Sequence, residues 1–149
     1  MKIKIGDILE EITLPNINGS NFSLSSLKGK KVLLTFYRFA RCPMCNLRIN
    51  EILKRYDELG KNFTMVGIFD SKINNLRQAM NRHDIPFTIL ADENFKYFEK
   101  YEVKTSWWGV IRASFTRFTK FNQALFLKGY LPFPIKGHFN TIPAALHLI

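Results

Sequence analysis

The chain has 149 residues, a formal net charge of +10 and 46% hydrophobic residues. A chain of this length buries roughly two thirds of its unfolded surface, so we expect one domain over 1–149 that needs no structural metal. The composition excludes disordered and fibrous proteins. The sequence contains no run of about 18 uncharged apolar residues, so we expect no membrane-spanning helix. The basic charge makes acidic ligands, nucleic acid and anionic membranes partners to consider.

The first residues carry no apolar stretch of the kind found in signal peptides, and Glu10 and Glu11 follow early. The chain has two cysteines, only three positions apart, so a secreted disulfide framework is excluded. From these two features we expect a cytoplasmic protein.

Apolar runs and helical spacings alternate along most of the chain. Strands are predicted at 32–37, 63–69 and 87–90, and helices at 43–59, 73–82 and 93–101, with Gly60 ending the first helix. Residues 105–127 have helical spacing, 128–140 are rich in Gly and Pro, and 141–149 are strand-like. Alternating strands and helices predict an α/β fold with parallel neighbours.

Cys42 and Cys45 form the sequence Cys-Pro-Met-Cys, shortly after the first buried strand. Proline is favoured at the first helical position, so Cys42 is predicted at the N-cap and Cys45 one turn inside the helix. The helix dipole and unpaired N–H groups at this position favour a thiolate. We therefore expect Cys42 to attack and a more buried Cys45 to resolve the mixed disulfide, with positive charge from nearby arginines, Arg38, Arg41 and Arg48.

Two alternatives for the cysteine pair stay open. The thiols are either buried apolar groups without chemistry or half of a metal site. A metal site needs two further ligands, and none of the histidines, His83, His138 and His147, has ligand-pair spacing beside the cysteines. We therefore expect no metal and no cofactor other than a redox-active Cys42–Cys45 disulfide.

Several segments of the chain carry a family resemblance. They are an opening block with Asn18-Gly19 and Leu27-Lys28-Gly29-Lys30, the dithiol segment 37–47, the middle segment 87–103, and Ile142-Pro143-Ala144 before an apolar strand. Together they resemble the redoxin family, the alkyl hydroperoxide reductase/thiol-specific antioxidant group of thioredoxin-fold proteins. The dithiol segment is similar to a peroxiredoxin-like subgroup with a Cys-Pro-x-Cys centre.

The resemblance implies a thioredoxin-like fold, with a central mixed sheet flanked by helices and a helical insertion at about 105–127. It also implies that Cys42 is the nucleophilic or peroxidatic sulfur and Cys45 the resolving sulfur. Pro143, in the cis form, and the backbone of Ile142 would cradle an extended substrate strand. The alternative for Pro143 is an ordinary edge-strand proline.

The implied activity is reduction of disulfides or hydroperoxides by the dithiol, with a thiol reductant such as a thioredoxin-type protein. Typical members of the family place Pro seven residues and Thr or Ser three residues before the peroxidatic Cys. Counting back from Cys42 gives Thr35 and Phe39, and counting back from Cys45 gives Arg38 and Cys42. This departure favours thiol–disulfide exchange over fast peroxide reduction, although Arg41 is a candidate for polarising a peroxide.

The end of the chain also departs from the family pattern. Ile149 stands where the family continues into another strand and a final helix. We expect an incomplete C-terminus, because an unpaired edge strand favours aggregation. The alternatives are a partner or a rearranged helix that covers this surface.

The basic, aromatic segment from Trp107 to Lys128 supports a different hypothesis, a non-catalytic module that binds an anionic membrane or nucleic acid. The alternative is an insertion helix whose aromatic stripe packs on the sheet. All Asp and Glu residues precede residue 103, so the surplus charge comes largely from a tail without carboxylates. We therefore expect neither nucleic acid nor membrane as a partner.

Overall fold

The computed structural model describes residues 8–103 and the backbone of residues 144–148. The strands and helices in chain order are β1 (Thr13–Pro15), β2 (Asn21–Ser23), β3 (Lys31–Tyr37), α1 (Pro43–Leu53), β4 (Phe63–Phe69), α2 (Ile73–Met80), β5 (Thr88–Ala91), α3 (Lys96–Lys100) and β6 (Ala144–Leu148). Short 3-10 helices follow β2 and α1.

The central sheet has the order β5-β4-β3-β6. Strands β3, β4 and β5 are parallel, and β6 runs antiparallel to β3 with Thr35 opposite Ala145. Parallel neighbours require crossover connections, which α1 and α2 supply. The predicted α/β fold with a mixed sheet flanked by helices is confirmed. The single-domain assignment, the insertion at 105–127 and the incomplete C-terminus stay predictions.

The two faces of the sheet are covered by different elements, because strand side chains alternate between faces. On one face, Tyr37 and Met65 pack with the cysteines and with the apolar side of α1 and α2. On the other face, Phe36 and Ile68 pack with α3 and with the antiparallel hairpin of β1 and β2. The dithiol therefore lies between the sheet and its two crossover helices.

The first crossover helix is shorter than the spacing predicts, ending at Leu53 instead of Leu59. Arg55 leaves helical geometry (φ −122°, ψ 10°), and its N–H bonds the Ile52 carbonyl three residues back at 3.0 Å. Tyr56 begins a 3-10 helix, and its ring lies 5.5 Å from that of Phe87. Tyr56 thus continues the apolar pattern from a different element. Gly60 (φ 82°) ends this segment, as a glycine permits.

A buried carboxylate organises the start of α3. Asp92 is 1% exposed and accepts hydrogen bonds from the first three helical N–H groups, those of Lys96, Tyr97 and Phe98, at 3.0, 2.7 and 3.2 Å. Burial raises the pKa of Asp92, and the three N–H donors oppose that rise. Asp92 therefore satisfies donors that a helix start otherwise leaves unpaired.

Replacing Asp92 with alanine is expected to lower the free energy of unfolding by about 2 kcal/mol, because three helix-start donors, two of them buried, lose their acceptor. Urea denaturation followed by circular dichroism measures this change. Asp84→Ala, at an exposed position, is the matched control and is expected to change stability little. Equal stability of the two variants would contradict a capping role for Asp92.

Candidate active site

The dithiol lies at the carboxyl end of β3, the edge where parallel α/β sheets place their functional loops. A tight turn joins β3 to α1, with the Cys42 N–H bonded to the Phe39 carbonyl at 3.0 Å. Cys42 is the N-cap residue, in extended geometry (φ −63°, ψ 117°), and Pro43 opens the helix. The predicted N-cap position of Cys42 is confirmed.

Both cysteines are free and buried. Cys42 is 1% exposed and Cys45 is 2% exposed. The expectation that Cys45 is the more buried sulfur is therefore wrong, because the turn before the helix packs Cys42 among the side chains of the core. The difference between the two sulfurs is electrostatic.

Cys42 is the sulfur whose surroundings favour a thiolate. A hydrogen bond from the Cys45 thiol lowers the pKa of Cys42 to about 6 against the opposing effect of burial, and the Arg38 guanidinium contributes in the same direction. Arg38 Nη1 lies 3.9 Å from the Cys42 sulfur. The Cys45 N–H adds to this effect, although its geometry falls short of a capping hydrogen bond. A thiolate at Cys42 is therefore well populated near neutral pH.

Cys45 has the opposite tendency. Burial raises its pKa well above the ordinary thiol value, and the hydrogen bond and negative charge of Cys42 add to the rise. The Tyr37 phenol is buried close to this pair, and its burial raises the pKa of Tyr37 as well. Cys45 and Tyr37 are thus both protonated while Cys42 carries the charge.

Only one of the three arginines proposed from sequence contacts the sulfur pair through a described hydrogen bond, and that residue is Arg38. Arg41 turns toward α2, where it donates to the Gln78 side-chain oxygen at 3.4 Å. Arg48 is exposed and pairs with Glu51 at 3.7 Å. Arg41 in the turn and Arg48 on α1 thus bond Gln78 and Glu51 instead of the sulfurs.

Asn46 is a part of the site that the sequence analysis missed. It is 3% exposed, and its side-chain NH₂ donates to the carbonyls of Ala40 and Cys42 at 3.0 and 2.9 Å. Its Oδ1 lies 3.3 Å from His83 Nε2. An asparagine four residues after a helix N-cap was the available signal, since its side chain can return to the cap carbonyl.

The position three residues before Cys42 holds Phe39, which is 1% exposed and packs in the same apolar cluster as the dithiol. Thr35, seven residues before Cys42, is buried in β3, and its hydroxyl has no hydrogen-bond partner among the described residues. Neither position brings a hydroxyl group to the sulfur through a described hydrogen bond.

A cavity of about 610 Å³ lies on the α2 and β5 side of the molecule, and its lining includes Asn16, Arg77, Asn81, His83 and Phe87 but neither cysteine. Over residues 8–103 and 144–148, no group of three potential ligands is placed to hold a metal ion. In the same part of the chain, no helix is long and apolar enough to cross a bilayer.

Two of the proposed substrate-binding residues, Ile142 and Pro143, lie outside the described residues. The segment from Trp107 to Lys128 lies outside them as well. The strand that directly follows Pro143 is described, and its first residue, Ala144, pairs with Phe36 near the end of β3.

The chain matches the model of the AhpC/TSA family over residues 5–117, which is more than half of its length. It belongs to the AhpC/TSA family. Peroxiredoxin Bcp of Escherichia coli (strain K12) is 31% identical over 108 residues, which cover 72% of this chain and 67% of that protein. This AhpC/TSA chain is therefore a thiol-dependent enzyme of the peroxiredoxin type, and enzymes of that type need no cofactor.

Solved structures show the same fold. The peroxidoxin BcpB from Mycobacterium tuberculosis superposes with a TM-score of 0.58 at 23% identity, covering 68% of this chain and 67% of its own. The thioredoxin domain of a thiol-disulfide oxidoreductase from Bacteroides vulgatus gives a TM-score of 0.58 at 25% identity, covering 69% and 76%. The predicted thioredoxin-like fold is confirmed.

Proposed function

We propose that Cys42 is the attacking sulfur and Cys45 the resolving sulfur of this AhpC/TSA enzyme. The observation that carries the proposal is the asymmetric pair of thiols. Cys42 lies at the start of α1 beside the Arg38 guanidinium, while Cys45 keeps its proton and donates it in a hydrogen bond to Cys42. A low-pKa attacking thiol paired with a protonated neighbour suits a two-step exchange.

With a hydroperoxide, the Cys42 thiolate attacks the terminal oxygen, the O–O bond breaks, and the alkoxide leaves with a proton as the alcohol. Cys42 is then a sulfenic acid. The Cys45 sulfur attacks the Cys42 sulfur, the S–O bond breaks, and water leaves as the disulfide forms. A thiol reductant, such as a thioredoxin-type protein, returns two electrons and two protons to restore both thiols.

With a disulfide substrate, the Cys42 thiolate attacks one sulfur and the other leaves as a thiolate. Cys45 then attacks Cys42, releasing the second substrate thiol and leaving the Cys42–Cys45 disulfide. The apolar ring of Phe39 at the usual hydroxyl position supports this substrate class. The similarity to peroxiredoxin Bcp supports hydroperoxides as the substrate class.

The substrate is proposed to lie against Arg41 and the Ile142–Pro143 segment. Arg41 is only half-buried and immediately precedes Cys42. The pairing of Ala144 with Phe36 brings the strand after Pro143 to β3, near the end that leads into the dithiol turn. An extended peptide pairing with this segment would place its disulfide beside Cys42. Two cysteines three positions apart do not form the disulfide framework of a secreted protein, so we propose the cytoplasm.

Mixing the reduced protein with hydrogen peroxide or with a small disulfide tests this function. We expect both thiols to be lost together and the intact mass to fall by two hydrogen atoms, because oxidation ends in the Cys42–Cys45 disulfide. Thiol titration and mass spectrometry measure this, and the relative rates identify the preferred oxidant. The variant lacking both cysteines is the control. Survival of both thiols with either oxidant would contradict the proposal.

A further inference from the structure

We propose that Asn46 and His83 are positioning residues that fix the Cys42 peptide unit and thereby aim the Cys42 sulfur at the start of α1. This inference rests on the proposed attacking role of Cys42. The residues that carry it lie on three elements: the turn before α1, the first turns of α1 itself, and the segment after α2.

The Cys42 carbonyl accepts two hydrogen bonds, both from Asn46. The backbone N–H of Asn46 bonds it at 3.0 Å, and the side-chain Nδ2 bonds it at 2.9 Å. The same Nδ2 donates to the Ala40 carbonyl at 3.0 Å. Asn46 therefore ties together the Ala40 and Cys42 carbonyls, and we call this arrangement the Asn46 clamp. Asn46 is only 3% exposed to solvent.

The two hydrogen bonds from Asn46 to the Cys42 carbonyl restrict the ψ torsion of Cys42, which helps to set the position of its sulfur. Rotation about the Cα–C bond of Cys42, its ψ angle of 117°, sets the side chain relative to the helix that begins with Pro43. Two donors on the Cys42 carbonyl fix that rotation. The Cys42 sulfur is thereby held where the Cys45 thiol and N–H and the Arg38 guanidinium reach it.

The orientation of the Asn46 amide also assigns a role to His83. Carbonyls accept only, so the NH₂ end of Asn46 must face Ala40 and Cys42, and the Oδ1 end faces His83. An N–H must then lie on His83 Nε2 to donate across the 3.3 Å separation. Both the neutral Nε2–H tautomer and the imidazolium supply this donor.

His83 reaches Asn46 from outside the apolar core. It is half-buried, its backbone N–H bonds the Met80 carbonyl at 2.9 Å, and its side chain also lines the 610 Å³ cavity. Substitutions at His83 therefore alter the support of Asn46 without removing an apolar core side chain.

The test is the pH profile of Cys42 alkylation by iodoacetamide, with peptide mass mapping to separate Cys42 from Cys45. For Asn46→Ala we expect the profile midpoint to rise by roughly half to one pH unit, because the sulfur loses its fixed position near its donors. For His83→Leu we expect a smaller rise in the same direction. His83→Gln keeps an N–H donor close to the Nε2 position and is expected to restore the wild-type midpoint.

Asn50→Ala, on the same helix one turn later, is the matched control and is expected to leave the midpoint unchanged. His83→Gln and His83→Leu are both uncharged and differ in whether they keep an N–H donor. Equal midpoints in the two variants would therefore overturn the hydrogen-bonding role of His83. A wild-type midpoint in Asn46→Ala would overturn the clamp. If Asn46→Ala does not fold, the two His83 variants decide between these outcomes.

The profile also separates this inference from the proposed function. A wild-type midpoint at the ordinary thiol value would contradict the attacking role of Cys42 itself. A low wild-type midpoint that none of the variants moves would contradict only the positioning role of Asn46 and His83.

Discussion

Cys42→Ser is expected to reduce turnover with either oxidant by roughly a thousandfold or more, because a serine hydroxyl does not ionise near neutral pH. Cys45→Ser is expected to leave the first step intact and to stop the second. Serine at position 45 still offers a donor to the Cys42 thiolate, which is the largest influence on the Cys42 pKa. The Cys45→Ser variant should therefore accumulate a mixed disulfide at Cys42 when a disulfide is the oxidant.

Steady-state turnover with a thioredoxin-type reductant measures the first effect, and intact-mass analysis after a single oxidant addition measures the second. The two variants control for each other, since each removes one buried thiol of similar exposure. If Cys42→Ser kept full activity, or if the adduct accumulated on Cys45 in Cys42→Ser, the assignment of attacking and resolving sulfurs would be reversed or wrong.

Arg38→Met is expected to move the pH dependence of Cys42 reactivity to higher pH by about one unit, because the guanidinium beside the sulfur stabilises the thiolate. The thiolate is the reactive form, so reactivity rises as pH increases through the Cys42 pKa. Between the wild-type and variant midpoints, Arg38→Met should therefore react more slowly. Above the ordinary thiol pKa of about 8.5, both proteins are ionised and the difference should disappear.

The alkylation rate of Cys42 across the pH range measures this shift. Arg38→Lys retains the charge and is expected to keep part of the wild-type behaviour. Arg55→Met removes an exposed arginine that pairs with Glu58, and controls for the loss of one positive charge. Equal shifts in Arg38→Met and Arg55→Met would show a general charge effect rather than a local one.

Much of the fold follows from local sequence patterns. The run of β-branched and aromatic residues ending at Tyr37 predicted a buried strand, and Pro43 predicted the start of the next helix. The end of that helix was predicted wrongly. Tyr56 continues the apolar period, but it contacts Phe87 from a separate 3-10 helix. A periodic pattern records which residues are apolar and not which element carries them.

The electrostatics of the site were less accessible from sequence. Arg38, Arg41 and Arg48 are all close to the cysteines in the chain, yet the direction of each side chain depends on the turn and on its partners in other elements. Arg41 bonds Gln78 on α2, a contact across 37 positions. The same separation divides His83 from Asn46, so no local pattern reports their contact.

The sequence by itself determined that the chain alternates strands and helices, and that a Cys-Pro-Met-Cys dithiol opens the helix after a buried strand. These properties depend on residues a few positions apart, whose spacing fixes their local geometry. Only the tertiary structure decided that both cysteines are almost fully buried and that the Arg38 guanidinium lies beside the Cys42 sulfur. It alone also showed that Asn46 bonds both the Cys42 carbonyl and His83. Burial and hydrogen bonds between elements arise when distant segments pack together, and packing is a property of the whole fold.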